Sequence, residues 1–126
     1  MPVTDSITIL AVADLGRAAA LYEALLGAPR SVDTPVYVEL PVSAGHRLGL
    51  YQREGFARNT GELPAAIAGI APAELYLRCD DVMAAIEVLE RCGARPLSPL
   101  GPRPWGDEAA YFADPDGFVV AVARRG

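Results

Sequence analysis

Residues 73–94 read AELYLRCDDVMAAIEVLERCGA, and residues 6–28 read SITILAVADLGRAAALYEALLGA. Each is a short β-rich run, an Asp, an apolar pattern at helical spacing and a Gly-Ala stop. Asp81-Val82 aligns with Asp14-Leu15, and Gly93-Ala94 with Gly27-Ala28, when the second helix is one residue shorter. The Asp is a good N-cap because its carboxylate can accept from the free N–H groups of the first turn. Leu15, Ala18, Leu21, Tyr22, Leu25 and Leu26 then recur on one helical face, and Gly27 supplies the left-handed stop. Short strands follow each helix: Arg30–Val32, Val36–Leu40 and Arg47–Gln52 in the first half, Arg95–Leu97, Ala109–Phe112 and Phe118–Arg124 in the second. This internal repeat predicts two βαβββ modules in tandem. Module one spans 5–53, the connector 54–71 with a helical turn near Pro64–Ile67, and module two 72–125, all within a single domain, 1–126. The fold class expected is α+β: a curled mixed sheet around a cavity, with the helices on the outer face.

The bulk numbers narrow the function. A chain of 126 residues is enough for one packed domain. A net charge of −5 leaves no basic stripe for phosphates, so no nucleic-acid partner is expected. There is no lysine, which excludes Schiff-base chemistry and a lysine general base. Cys79 and Cys92 are the only cysteines and read as reduced thiols. No charged leader precedes an apolar run, and no apolar stretch approaches the ~20 residues of a membrane span. These features predict a cytoplasmic protein with no membrane partner. His46, in the hairpin segment SAGHR, reads as a solvated turn residue. Met83, Ile86, Val88 and Leu89 read as helix-core or helix-edge positions. Cys79 reads as a buried structural thiol.

Near the C-terminus, YFADPDGFVVAV (111–122) holds a well-specified turn. Asp114 and Asp116 can bond their own backbone, Pro115 presets φ and Gly117 supplies positive φ. The strand that follows carries no acid, base or metal ligand. So careful a turn before so inert a strand suggests a strand that lines a pocket and does not react.

Three stretches in order, VADLGRAAALYEALLG (12–27), LRCDDVMAAIEVLERCGA (77–94) and WGDEAAYFADPDGF (105–118), make the chain similar to the glyoxalase / bleomycin-resistance / extradiol-dioxygenase superfamily, the vicinal oxygen chelate proteins. The resemblance covers essentially the whole chain and implies a homodimer. Enzymes of that superfamily hold a divalent metal through His, Gln or Glu at four strand positions. Here these fall on Ile7 (Thr8 if the register slips), Gly49, Glu74 and Ala121. One carboxylate in four does not hold a divalent ion tightly, since such sites need three or four N, O or S ligands. We therefore expect no metal and no cofactor, and do not carry over glyoxalase I, extradiol cleavage, epimerase or metal-dependent fosfomycin chemistry.

In the superfamily the ligand positions face the cavity, and strand alternation extends that face. It predicts Tyr37, Glu39, Arg47, Tyr51, Glu74, Tyr76, Arg78 and Ala121 inside, over an apolar floor of Ile7, Ile9 and Val119. Trp105, in GPRPWGDE, would border the mouth as a stacking ring, or serve as a dimer contact or loop anchor. Asp107 and Glu108 beside it could draw a cationic ligand, or lie on the surface without a role. The inward groups suit a small-molecule site, and equally a structural ion-pair network with tyrosines filling space. Two functions follow. The first is a metal-free homodimer that sequesters a small organic ligand, aromatic or charged, and resembles the bleomycin-resistance type. The alternative is a metal-independent lyase or isomerase with Glu74 as catalytic general base, Arg47 or Arg78 stabilising an enolate or carboxylate.

Overall fold

The structure is a computed structural model that describes residues 2–60 and 73–126. The chain divides into two compact units, Met1–Pro64 and Ala65–Gly126. The class is α+β, with two four-stranded mixed sheets, neither closed into a barrel.

The first unit runs β1 (Ser6–Val12), α1 (Leu15–Leu26), β2 (Val32–Asp33), β3 (Tyr37–Ser43), β4 (His46–Gln52) and α2 (Arg53–Thr60). Its strand order is β1-β4-β3-β2, with β1 and β4 parallel and the other pairs antiparallel. Asp14 caps α1 by accepting from the Arg17 amide at 3.1 Å, and Gly27 ends it at φ 66°. α1 buries Leu15, Ala18, Ala19, Leu21 and Tyr22. Val38, Leu40, Leu48 and Leu50 are buried beneath it on β3 and β4. Burying each of these side chains stabilises the fold by roughly 1.5–3 kcal/mol before chain entropy is counted.

The second unit repeats the plan: β5 (Glu74–Arg78), α3 (Val82–Arg91), β6 (Arg95–Pro102), β7 (Asp107–Ala113) and β8 (Val119–Arg125), in order β5-β8-β7-β6. Asp81 caps α3 through the Ala84 amide at 3.0 Å. α3 buries Val82, Ala85 and Leu89 and packs on β8, where Val120 and Val122 are buried. The turn between β7 and β8 is built as its residues suggest. Asp114 Oδ1 accepts from the amides of Asp116 (2.9 Å) and Phe118 (2.8 Å), and Gly117 sits at φ 86°.

Several local expectations are corrected. The segment after β4 is helical over Arg53–Thr60, where a connector was expected from residue 54; a polar helix with a Gly in its first turn carries little periodic signal. The helical turn expected at Pro64–Ile67 lies outside the described residues. β6 extends to Pro102 because two register shifts, Pro96/Ser98 and Ser98/Gly101, let a proline-interrupted strand keep pairing. β2 is Val32–Asp33, one residue beyond the expected run. Met83, expected at the core or the edge of its helix, is 57% exposed and so lies outside the core. His46 opens β4, half-buried, with Ser6 Oγ 2.8 Å from Nδ1 and Thr8 Oγ1 3.2 Å from Nε2. It is a bonded strand residue, not a solvated turn residue.

Candidate functional site

Each sheet has one face under its helix and one face turned away from it. In the first unit the pairings Ile7↔Arg47, Ile9↔Gly49, Glu39↔Gly49 and Tyr37↔Tyr51 place Ile7, Ile9, Tyr37, Glu39, Arg47, Gly49 and Tyr51 together on the second face. Thr8 lies on the opposite face with its hydroxyl on His46, so of the two residues expected at the first metal position Ile7 is the one on the face away from the helix. Glu39 is the centre of this face and is only 4% exposed. The Tyr37 hydroxyl donates to Glu39 Oε2 at 2.7 Å. Arg47 Nη1 stands 2.7 Å from Oε1 in an ion pair. The other end of the Arg47 fork pairs with Asp5. Burial, then the hydrogen bond to Glu39, pushes the Tyr37 hydroxyl up to about 12.

Tyr51 tilts against Tyr37 with centroids 5.3 Å apart and meets Phe56 edge-on at 6.5 Å. Asn59 donates to its hydroxyl at 3.1 Å. The Tyr51 ring lies over Gly55 so closely that a Cβ there would collide with it. α2 therefore packs back on β4 through a glycine. Sequence reasoning missed Phe56, Asn59 and Asp5, because alternation along strands says nothing of what a following helix or a preceding loop brings over a face.

In the second unit the pairings Glu74↔Val119, Tyr76↔Ala121, Arg78↔Ala123, Tyr111↔Ala121 and Asp107↔Arg125 gather Glu74, Tyr76, Arg78, Asp107, Tyr111, Val119, Ala121 and Ala123 on the face away from α3. The hydrogen bonds there form a chain. Trp105 Nε1 donates to the Tyr76 hydroxyl at 2.9 Å, and that hydroxyl donates to Asp107 Oδ2 at 2.7 Å. Arg78 Nε donates to the same oxygen at 2.9 Å. Asp107 is 5% exposed. The Tyr76 hydrogen bond, with a further contribution from Arg78, holds its carboxyl below the usual range, against the opposing effect of burial. The Tyr76 hydroxyl is raised in turn, chiefly by burial. Trp105 meets Tyr76 edge-on with centroids 6.2 Å apart, and the Arg78 guanidinium lies 5.7 Å from the Tyr76 ring centre. Arg103 covers Tyr111 at 4.9 Å.

Two expectations change here. Asp107, read as a loop charge, opens β7 as a buried acceptor, and Glu108 pairs with Arg124 at 3.0 Å on the other face. Both acids are engaged, so neither stands free to draw a cation. Glu74 is exposed, and among the described residues it has no hydrogen-bond or ion-pair partner.

A family model described as the Glyoxalase/Bleomycin resistance protein/Dioxygenase superfamily matches residues 4–122. The chain belongs to this superfamily. Among solved structures it is similar to a glyoxalase-related enzyme from Fulvimarina pelagi, with TM-score 0.81, 21% identity, and coverage of 95% of this chain and 86% of that one. A glyoxalase/bleomycin resistance protein/dioxygenase family enzyme from Burkholderia phytofirmans PsJN gives TM-score 0.77 at 16% identity, covering 95% and 97%. TioX from Micromonospora sp. ML1 gives 0.67 at 19% identity, covering 97% and 98%. At these identities the likeness is one of fold. No curated protein matches the chain.

The divalent metal of the superfamily does not fit the residues present. Ile7, Gly49 and Ala121 carry no ligand atom, and among the described residues no group of three or more His, Cys, Asp or Glu side chains could hold a metal ion. At Gly49 the missing side chain is replaced by a neighbour. A Cβ there would lie 2.5 Å from the Tyr37 hydroxyl and 2.9 Å from its ring, so Tyr37 fills the space a ligand would need. Among the described residues, no helix is long and apolar enough to cross a membrane.

Proposed function

We propose that this protein is a metal-free, small-molecule-binding member of the superfamily, acting as a homodimer that sequesters an organic ligand, with both units serving as one functional domain. The observation that carries the reading is the chemistry of the faces away from the helices. The first unit's face offers the rings of Tyr37 and Tyr51, the apolar side chains of Ile7 and Ile9 and the Glu39–Arg47 pair; the second unit's face offers the rings of Tyr76 and Trp105 and the Asp107–Arg78 pair, while Ala121, expected as a lining residue, is fully buried beneath them. Aromatic walls with a few oriented polar groups hold a ligand by area and position it by hydrogen bonds. Ile7 and Ile9 are 40% and 41% exposed, apolar surface for a ligand or a second copy to cover.

Native mass spectrometry of the protein as purified, without chelator, tests this. The expected result is a dimer free of metal, with an organic adduct released on denaturation. One divalent ion held per chain would overturn it.

One observation favours the catalytic alternative. Glu74 has no arginine on it, since Arg78 is drawn to Asp107, and a general base must be free of such a clamp. Its exposure counts the other way, because a catalytic base acts on a substrate held out of bulk water. Glu74→Gln separates the two. Turnover abolished with ligand affinity intact would establish the base and refute the pure binder.

A further inference from the structure

The cluster of the second unit leaves one charged group with an unused edge. Arg78 donates through Nε to Asp107 Oδ2, its side chain is 49% exposed, and no other hydrogen bond or ion pair among the described residues engages its guanidinium. The pair of terminal nitrogens, Nη1 and Nη2, is therefore open. Arg47 differs, because one of its terminal nitrogens is on Glu39 and the other on Asp5. Arg103 differs too, its Nη2 being spent on Ser98 and the carbonyls of Pro99 and Ala109. Arg78 is the arginine on these faces that is held in place by a buried carboxylate and still presents its fork.

We propose that Arg78 is an anion-binding residue and that its ligand is an aromatic monocarboxylate. The carboxylate would take the Nη1/Nη2 edge as a bidentate pair, and its ring would lie against Trp105 and Tyr76. This rests on the small-molecule reading above and gives it a ligand class. Three features argue for it. A guanidinium fork matches a planar carboxylate, and Asp107 on Nε fixes the plane of that fork before any ligand arrives. Trp105 is 55% exposed yet tied through its indole N–H to Tyr76, so it offers an ordered ring beside the charge. The single open fork belongs to a chain of net charge −5, which suits one negative charge and opposes the two of a phosphate.

The test uses the full chain labelled with ¹⁵N and three probes of one shape: benzoate, benzamide and benzylammonium. The indole N–H of Trp105, the chain's only tryptophan, and the Nε–H of Arg78 report binding. Benzoate is expected to shift both. Arg78→Gln is expected to weaken benzoate at least about tenfold, the size of a lost charge-assisted pair, while the remaining amide spectrum shows the fold intact. Arg78→Lys restores the charge without the fork and is expected to recover only part of the affinity. Benzamide binding as well as benzoate, or Arg78→Gln leaving benzoate unchanged, overturns the proposal while the small-molecule reading stands. No shift with any of the three probes overturns it as well. The broader reading is then judged by the native mass measurement, which does not depend on Arg78.

Discussion

Replacing Gly49 by alanine tests how Tyr37 fills the space beside that glycine. The new Cβ would lie 2.5 Å from the Tyr37 hydroxyl, 2.9 Å from Cε1 and 3.0 Å from Ile9 Cγ1. Ile9 can yield a few tenths of an ångström; Tyr37 must turn away. Turning breaks its 2.7 Å hydrogen bond to Glu39, a carboxylate buried to 4% exposure. A hydrogen bond to a buried charged group contributes about 1.5–3 kcal/mol. Alanine for glycine within a strand returns roughly 0.5–1 kcal/mol. The net expectation is a loss of about 1–2 kcal/mol, read in urea as a midpoint lower by about 0.5–1 M. In a Tyr37→Ala background the space is open, so there the same change should be neutral or stabilising. The double-mutant cycle should give a coupling of about 1.5–3 kcal/mol. Equal effects of Gly49→Ala in both backgrounds would refute the claim that Tyr37 fills the space a side chain at position 49 would need.

The other expectations concern titration and reactivity. Tyr37 is raised to about 12; because the protonated hydroxyl is the form the fold favours, its contribution to stability is complete below about pH 10 and is lost as pH rises through about 12. An absorbance titration should show a late tyrosine component that Tyr37→Phe removes; a titration unchanged by that substitution would contradict the assignment. Asp107 is depressed, so its contribution is present above the ordinary carboxylate range and is lost as pH falls below it. The stability gap between the wild type and Asp107→Asn should accordingly narrow as pH drops through that range, and a gap that widens would reverse the sign of the argument. Cys79 is half-buried, and burial raises its thiol. A disulfide reagent at pH 8 should label Cys79 more slowly in the folded chain than in urea, and equal rates would contradict its burial.

The repeat was legible because its punctuation is chemical. Asp14 and Asp81 each accept an amide at the start of a helix, and Gly27 and Gly93 each take positive φ just past the end of one. The faces were legible because one side of each strand is apolar: Leu48 and Leu50 on β4, Val120 and Val122 on β8. Alternation therefore placed Tyr37, Glu39, Arg47, Tyr51, Glu74, Tyr76 and Arg78 on their faces. It did not reach the partners. Asp107 stood in a segment rich in Gly and Pro, and only the position where β7 begins decides which way its carboxylate points. Trp105 was visible as a ring near that face, but its bond to Tyr76 was not.

The two buried clusters show why aligning the repeats does not find the chemistry. Each unit buries a carboxylate that receives a tyrosine hydroxyl and faces an arginine. The first draws them from β3, β3 and β4, as Tyr37, Glu39 and Arg47. The second draws them from β5, β5 and β7, as Tyr76, Arg78 and Asp107. The positions are not equivalent, so the likeness is not a residue pattern copied with the module. It follows from a shared physical demand. A carboxylate sunk among β-strand side chains whose backbone donors are already spent in the ladder must find donors on neighbouring strands. Tyrosine and arginine reach that far while adding apolar cover of their own. The difference between the clusters is then the informative part. In the first, the arginine is consumed at both ends; in the second, it is anchored at Nε and left open at its fork. A duplicated fold has reached one structural solution twice and kept an unspent guanidinium edge in only one of them.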